Sequence, residues 1–201
     1  MELDDVLSSI SESAIALPVI RRRIKAANKE FRPRSPNDVD SLTFLAVLLW
    51  VIDDKNSAIS VLEFLDKHVD ARDGYADIVG SLAVSRLFLA EMLIEIDDSD
   101  QVIQLMSSDG ISGSYNFDSF ENPVRETVQY RLEDLEYFET NSESKPVEVL
   151  QAAYHGLKDT TILLRRFTEL EGKTNEKDRI YLLNANRRFK ERLRQCVINK
   201  S

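Results

Sequence analysis

FLAVLLWVIDD at residues 44–54 and FLAEMLIEIDD at residues 88–98 are two copies of one pattern, and this repeat decides the fold. The segments align without gaps over eleven positions, of which seven are identical. The register continues beyond them at the same offset of 44 residues, pairing Ile59 with Ile103 and Leu62 with Met106. The first copy is so apolar that it leaves little polar face, which predicts a helix surrounded by other helices.

A period of 44 residues with two helices in each unit resembles the tetratricopeptide or HEAT type of helical array. One helix pair cannot cover its own apolar face, whereas a second pair stacked on it can. We therefore predict an all-α fold, with a short array of antiparallel helical hairpins closed by a longer C-terminal helix pair. The alternative is that the two hairpins are not copies of one unit and are similar only because both must pack into a hydrophobic core. A third copy is doubtful: Val147 and Leu150 keep the period, but Asp134 stands where the first copy has Ala46.

The organisation expected along the chain is a single helical domain over residues 1–201, since this length suits one domain. Hairpin repeats are predicted at about 36–72 and 75–108, and the C-terminal hairpin at about 145–198. Residues 3–31 have helical spacing, interrupted by Pro18. The last helix carries one stripe along its length, made of Leu182, Asn186, Phe189, Leu193 and Cys196.

The net charge of −9 is unevenly distributed along the chain. Residues 36–157 hold twenty-four acidic and seven basic side chains, a balance of −17, whereas residues 158–201 hold six and twelve, a balance of +6. A field dominated by acid repels phosphate, which argues against a nucleic-acid partner. It favours a basic protein partner. The basic run at 187–194 is interpreted as solvated flanks beside the apolar stripe.

No catalytic, cofactor or metal motif is present in the sequence. It contains no phosphate-binding glycine loop and no nucleophile elbow. With two histidines and one cysteine, a histidine-rich or zinc-thiolate site is excluded by count. Glu63, Asp66 and His68 are interpreted as a solvated helix end. The paired aspartates at 53–54 and 97–98 are interpreted as turn and cap residues.

The segment 107–122 (SSDGISGSYNFDSFEN) is the predicted binding site for a partner. A long irregular loop is uncommon in a compact helical protein and often carries function. Aromatic side chains are the usual anchors of interfaces. We name Tyr115, Phe117, Asp118 and Phe120 as the partner-binding residues. The alternative is that these aromatics fold over the end of the array and fill its core.

The function expected from these features is a non-catalytic protein-binding module. In size and charge the chain is similar to some bacterial immunity proteins, which neutralise basic toxins. The alternatives are an enzyme with an all-helical pocket lined by carboxylates, and a homo-oligomeric structural protein. The single cysteine, the acidic start and an apolar stretch too short to span a bilayer predict a cytoplasmic protein without a membrane partner.

Overall fold

The structure is a computed structural model that describes residues 18–19, 22, 24–26, 35–69, 76–106, 123–169 and 175–198. These residues are helical apart from short connections, and they contain no β-strand. The prediction of an all-α fold is therefore confirmed.

Within the described ranges, no helix combines the length and the apolarity that a membrane crossing requires. The helices are α1 (Pro36–Val51), α2 (Lys55–His68), α3 (Ala76–Ile94), α4 (Ser99–Met106), α5 (Pro123–Thr140), α6 (Pro146–Glu169) and α7 (Glu176–Ile198).

The start of α1 follows the rules for helix capping. The Ser35 hydroxyl accepts a hydrogen bond from the Asp38 amide at 3.2 Å, and Pro36 occupies the first helical position. The hydroxyl satisfies an amide that has no partner inside the helix, and proline at that position has no amide to satisfy. Of the predicted N-terminal helix, residues 18–19, 22 and 24–26 are helical, and the rest lies outside the described residues.

The helices divide into two compact units, within residues 18–116 and 117–201. In the first unit α1 packs on α2, α3 packs on both, and α4 packs on α3. Phe44 and Phe88, which are equivalent in the repeat, are both buried. The edge of the Trp50 ring meets Phe88 with 6.3 Å between ring centroids, so α1 and α3 interlock through aromatic packing. The single domain over residues 1–201 stays a prediction.

The turns that end α1 and α3 have the same backbone conformation at equivalent positions. Asp53 and Asp97 are left-handed, with φ of 65° and 60°. Equivalent amides make equivalent hydrogen bonds: Asp53 to the Trp50 carbonyl (3.0 Å), Asp97 to Ile94 (3.2 Å), Asp54 to Leu49 (2.9 Å) and Asp98 to Leu93 (3.1 Å). This is a Schellman ending, in which aspartate takes the position usual for glycine. The turn after α5, at 141–145, contains no left-handed residue.

The second unit is built from α5, α6 and α7. Side-chain contacts keep a nearly constant offset between α5 and α7, so these two helices run parallel: Arg125 to Asp178, Gln129 to Tyr181 and Glu139 to Arg192. Contacts between α6 and α7 run in the opposite sense, from Gly156 against Phe189 to Thr160 against Asn186. The α6 and α7 helices, of 24 and 23 residues, therefore form an antiparallel pair.

The predicted stripe of α7 is mostly buried in this unit. Leu182, Phe189 and Leu193 are buried, and Cys196 is half-buried at the edge of the stripe. Asn186 donates hydrogen bonds to the hydroxyl oxygens of Thr160 and Thr161, at 2.9 and 3.1 Å. These threonines donate in turn to backbone carbonyls of α6. Asn186 is therefore tolerated on an apolar stripe because its amide has hydrogen-bond partners there.

Candidate functional site

The predicted partner-binding residues Tyr115, Phe117, Asp118 and Phe120 lie outside the described residues. Their assignment stays a prediction. Two other surfaces stand out among the described residues, one in each compact unit. Each combines exposed apolar or aromatic side chains with acidic neighbours.

The first surface is the end of the second hairpin, where α3 passes through its turn into α4. Ile94, Ile96 and Ile103 expose 55%, 44% and 64% of their surface. We call these three residues the isoleucine end. Single exposed apolar residues are common, whereas three exposed isoleucines within one hairpin make this end a candidate contact surface.

The same three repeat positions are buried in the first hairpin. Counting back by 44 residues gives Trp50, Ile52 and Ile59, which are 5%, 1% and 8% exposed. The Trp50 ring is covered from α3, by Phe88. At Trp50, this position of the first hairpin is thus covered by a side chain of the second hairpin. The residues of the isoleucine end occupy the equivalent positions of the second hairpin, and all three are exposed there.

The segment that carries the isoleucine end is acidic, and Lys55 of α2 pairs with its Glu95. Residues 91–106 hold five acidic side chains and no basic one. Asp97 and Asp100 are exposed, and no cation among the described residues pairs with either. Asp98 caps α4 by accepting a hydrogen bond from the Gln101 amide at 3.2 Å. The isoleucine end therefore combines exposed apolar side chains with exposed carboxylates.

Specific polar contacts hold the second hairpin to the first. Glu95 accepts a hydrogen bond from the Trp50 indole at 2.9 Å and pairs with Lys55 at 3.0 Å. Gln101 donates to Glu63 at 2.8 Å, and Arg86 pairs with Asp66 at 2.6 Å. These bonds orient α3 and α4, so the isoleucine end is presented by an anchored element.

The carboxylates near His68 are therefore engaged in contacts between hairpins. Glu63 and Asp66 bind Gln101 and Arg86, and the His68 ring lies 4.9 Å from that of Phe64, centroid to centroid. Glu63 and Asp66 are engaged in structural contacts, and these contacts do not support an acid–base role for the two carboxylates.

The second surface is an open groove of about 610 Å³ between α5 and α7. Its lining consists of Arg125, Glu126, Gln129, Tyr130, Glu133 and Tyr181. Tyr130 is 61% exposed. Tyr130 was not among the residues predicted from the sequence. The signal was present, since Glu126, Tyr130, Glu133 and Tyr137 follow one another at helical spacing.

The polar side chains of this groove are ordered by hydrogen bonds. The Tyr181 hydroxyl lies 3.2 Å from the Gln129 amide oxygen, and the Gln129 amide nitrogen donates to Glu133 at 2.7 Å. Arg125 pairs with Asp178 at 2.5 Å. Among the described residues, the groove therefore presents two tyrosines, two carboxylates and one cation, which is already paired.

Among the described residues, two titratable groups have clearly shifted pKa values. Burial lowers the pKa of His155 below 6.5, and the nearby charges of Lys158 and Arg131 lower it further. Burial alone would raise the pKa of Asp54, but hydrogen bonds from Lys25 and Ser57 and the Lys25 charge outweigh it, so the net pKa is below 3.8. Lys25 lies 2.8 Å from the Asp54 carboxylate and ties residues 24–26 to the turn after α1.

The described residues hold no group of three or more histidine, cysteine, aspartate or glutamate side chains placed to bind a metal ion. Neither surface thus has the make-up of a metal centre. The chain matches no family model, no curated protein and no solved structure.

Proposed function

We propose that this protein is a non-catalytic protein-binding module that binds a basic partner through its isoleucine end. The observation that carries the proposal is the contrast between equivalent positions of the repeat. Trp50, Ile52 and Ile59 are buried, while Ile94, Ile96 and Ile103 are exposed. A surface of this kind is normally covered, because exposed apolar groups favour association.

The architecture belonging to this proposal is a short helical array of the tetratricopeptide or HEAT type. Two features support it: the left-handed aspartates 44 residues apart, and the packing of α3 on both helices of the first hairpin. Arrays of this type bind partners on surfaces formed by successive repeats. A partner helix at the isoleucine end would take the place of a further repeat.

The basic character of the partner follows from the charge of residues 91–106. Of the five carboxylates in this segment, Glu95 is paired with Lys55 at 3.0 Å, and the acidic surplus that remains favours the approach of a positive protein over a negative one. Homo-oligomerisation through two isoleucine ends would bring acid against acid, which makes this form of the homo-oligomer alternative unfavourable. The described residues offer no observation that favours the enzyme alternative.

A toxin-neutralising immunity protein of the bacterial cytoplasm is the biological role that we propose for such a module. An acidic protein that binds a basic toxin gains fast association from opposite charges. The support for this role is the size and charge of the chain together with the acidic rim of the isoleucine end.

The proposal is tested by a pull-down from the native lysate, with the intact chain as bait at low salt and at high salt. Mass spectrometry identifies what is captured. The expected result is a basic protein that is retained at low salt and released at high salt, because exposed charges are screened. The triple variant Ile94→Ser/Ile96→Ser/Ile103→Ser should lose that protein while it keeps its helical circular dichroism.

A matched control is Ile180→Ser/Leu183→Ser, which removes two exposed apolar side chains from α7 in the other unit. This control should retain the partner. Capture of no basic protein, or equal capture by the triple variant and the wild type, would contradict the proposed function.

A further inference from the structure

The groove between α5 and α7 has the chemistry of a site for a planar cation. Tyr130 and Tyr181 supply aromatic surface, and Glu126 and Glu133 supply negative charge. Glu126 makes no contact with a cation among the described residues, and Glu133 accepts a hydrogen bond from neutral Gln129. These two carboxylates therefore keep their charge available to a ligand.

The arginines near the groove do not cancel this charge. Arg125 is neutralised by Asp178 at 2.5 Å, and Arg131 by Asp159 at 2.7 Å. Both partners come from neighbouring helices, α7 and α6, so the two arginines are used to hold the unit together. The surplus charge at the groove is thus negative.

We propose that this groove binds the arginine side chain of a peptide segment. This is a second site, in the other compact unit, and it does not depend on the isoleucine end. Glu126 and Glu133 are seven residues apart on α5, about 10 Å along the helix, with Tyr130 between them. A guanidinium stacked on that ring can donate from its edge toward a carboxylate, because its donors are spread around a flat group.

An internal contact shows that the Tyr130 ring accepts a guanidinium. The Arg131 guanidinium carbon lies 5.3 Å from the centroid of this ring, within the range of a cation–π interaction. The 61% exposure of Tyr130 leaves much of the residue accessible to a second cation. Arginine fits better than lysine, because a compact, strongly hydrated ammonium group loses more hydration on an aromatic surface.

The test uses a defined probe and the full chain. The peptide acetyl-Ala-Arg-Ala-amide is titrated into isotopically labelled protein, and amide shifts are followed by NMR. The comparison peptide carries citrulline in place of arginine, which keeps the shape and removes the charge. Saturable shifts at residues 125–133 and 181 are expected with the arginine peptide only.

Variants test whether the groove itself is responsible. Tyr130→Leu should weaken binding by about two- to fivefold, the value of an exposed cation–π contact. Glu126→Gln/Glu133→Gln should weaken it further and abolish its salt dependence. The matched control is Tyr137→Leu, an exposed tyrosine of the same helix outside the groove lining, which should bind as the wild type does.

Equal shifts with the citrulline peptide, shifts that do not saturate, or unchanged affinity in the Tyr130 and glutamate variants would overturn the proposal. The isoleucine-end triple variant should bind the arginine peptide as the wild type does. Failure at the groove and failure of the proposed function are thereby separate results.

Discussion

At the scale of single residues, Gly156 in α6 lies where a Cβ atom does not fit. A Cβ atom placed on Gly156 would overlap the ring of Phe189, which is fully buried. A glycine here lets α7 approach α6 closely, and the buried ring has little room to move away. The close packing of α6 and α7 therefore requires glycine at position 156.

The first prediction concerns this contact. Gly156→Ala should lower the free energy of unfolding by about 1–3 kcal/mol, because overpacking outweighs the gain in helix propensity. Gly80→Ala is the matched control, since a Cβ on Gly80 in α3 meets nothing within 4 Å. It should be neutral or stabilising by up to about 1 kcal/mol. Urea unfolding followed by circular dichroism gives both values, and a stable Gly156→Ala protein would refute the packing argument.

The second prediction concerns pH. His155 has a pKa lowered below 6.5 in the folded chain, by burial first and by Lys158 and Arg131 next. The unfolded chain therefore binds a proton more readily, and stability falls as the pH drops below about 6.5.

His155→Gln should flatten the fall in unfolding free energy between pH 7.5 and pH 5, measured by urea titration at several pH values. His68→Gln replaces the other histidine and should leave the His155 contribution in place. The same pH slope in the wild type and in His155→Gln would show that this histidine does not contribute.

At the scale of elements, the two Schellman turns are the clearest sign of repetition. Asp53 and Asp97 adopt positive φ, which costs a residue with a Cβ about 1–2 kcal/mol and is tolerated best by glycine, asparagine and aspartate. In both hairpins, the turn depends on an aspartate that tolerates positive φ at the equivalent position after the helix.

The third prediction compares two changes at one turn. Asp53→Gly and Asp53→Ala both remove the carboxylate, so their difference reports the backbone conformation. Asp53→Ala should be less stable than Asp53→Gly by about 1 kcal/mol, because only glycine is free of strain at positive φ. Thermal unfolding of both proteins checks this. Equal stability would indicate that residue 53 is not left-handed in the folded protein.

Much of this level was predictable from the sequence. The helix start at Ser35-Pro36 and the turns at the paired aspartates follow from local patterns, because these patterns also fix the backbone conformation. The exposure of Ile96 and Ile103 was not predictable, since they align with the buried Ile52 and Ile59. Burial depends on what packs against a helix pair, and an alignment of two copies does not contain that neighbour.

The candidate sites were less predictable for the same reason. The sequence places the predicted partner-binding aromatics in the segment 107–122, because long loops often carry function. The groove on α5 depends on Tyr130, whose helical spacing is equally typical of a core residue. Only the packing of α6 and α7 on the opposite face of α5 decides that this tyrosine faces outward.

At the scale of the whole molecule, two hairpins of similar sequence differ in the exposure of their equivalent side chains. The first hairpin has these side chains buried, and the second presents them to solvent with acidic residues beside them. The proposed binding function rests on this difference in burial, and the proposed preference for a basic partner rests on the acidic residues beside the isoleucine end.

Thiol accessibility tests that asymmetry most directly, because it needs no partner. In a Cys196→Ala background, Ile59→Cys and Ile103→Cys place single thiols at equivalent repeat positions that are 8% and 64% exposed. With a disulfide reagent under native conditions, we predict that Cys at position 103 reacts like an exposed thiol and at least about tenfold faster than Cys at position 59. Equal reaction rates in two folded proteins would contradict the account.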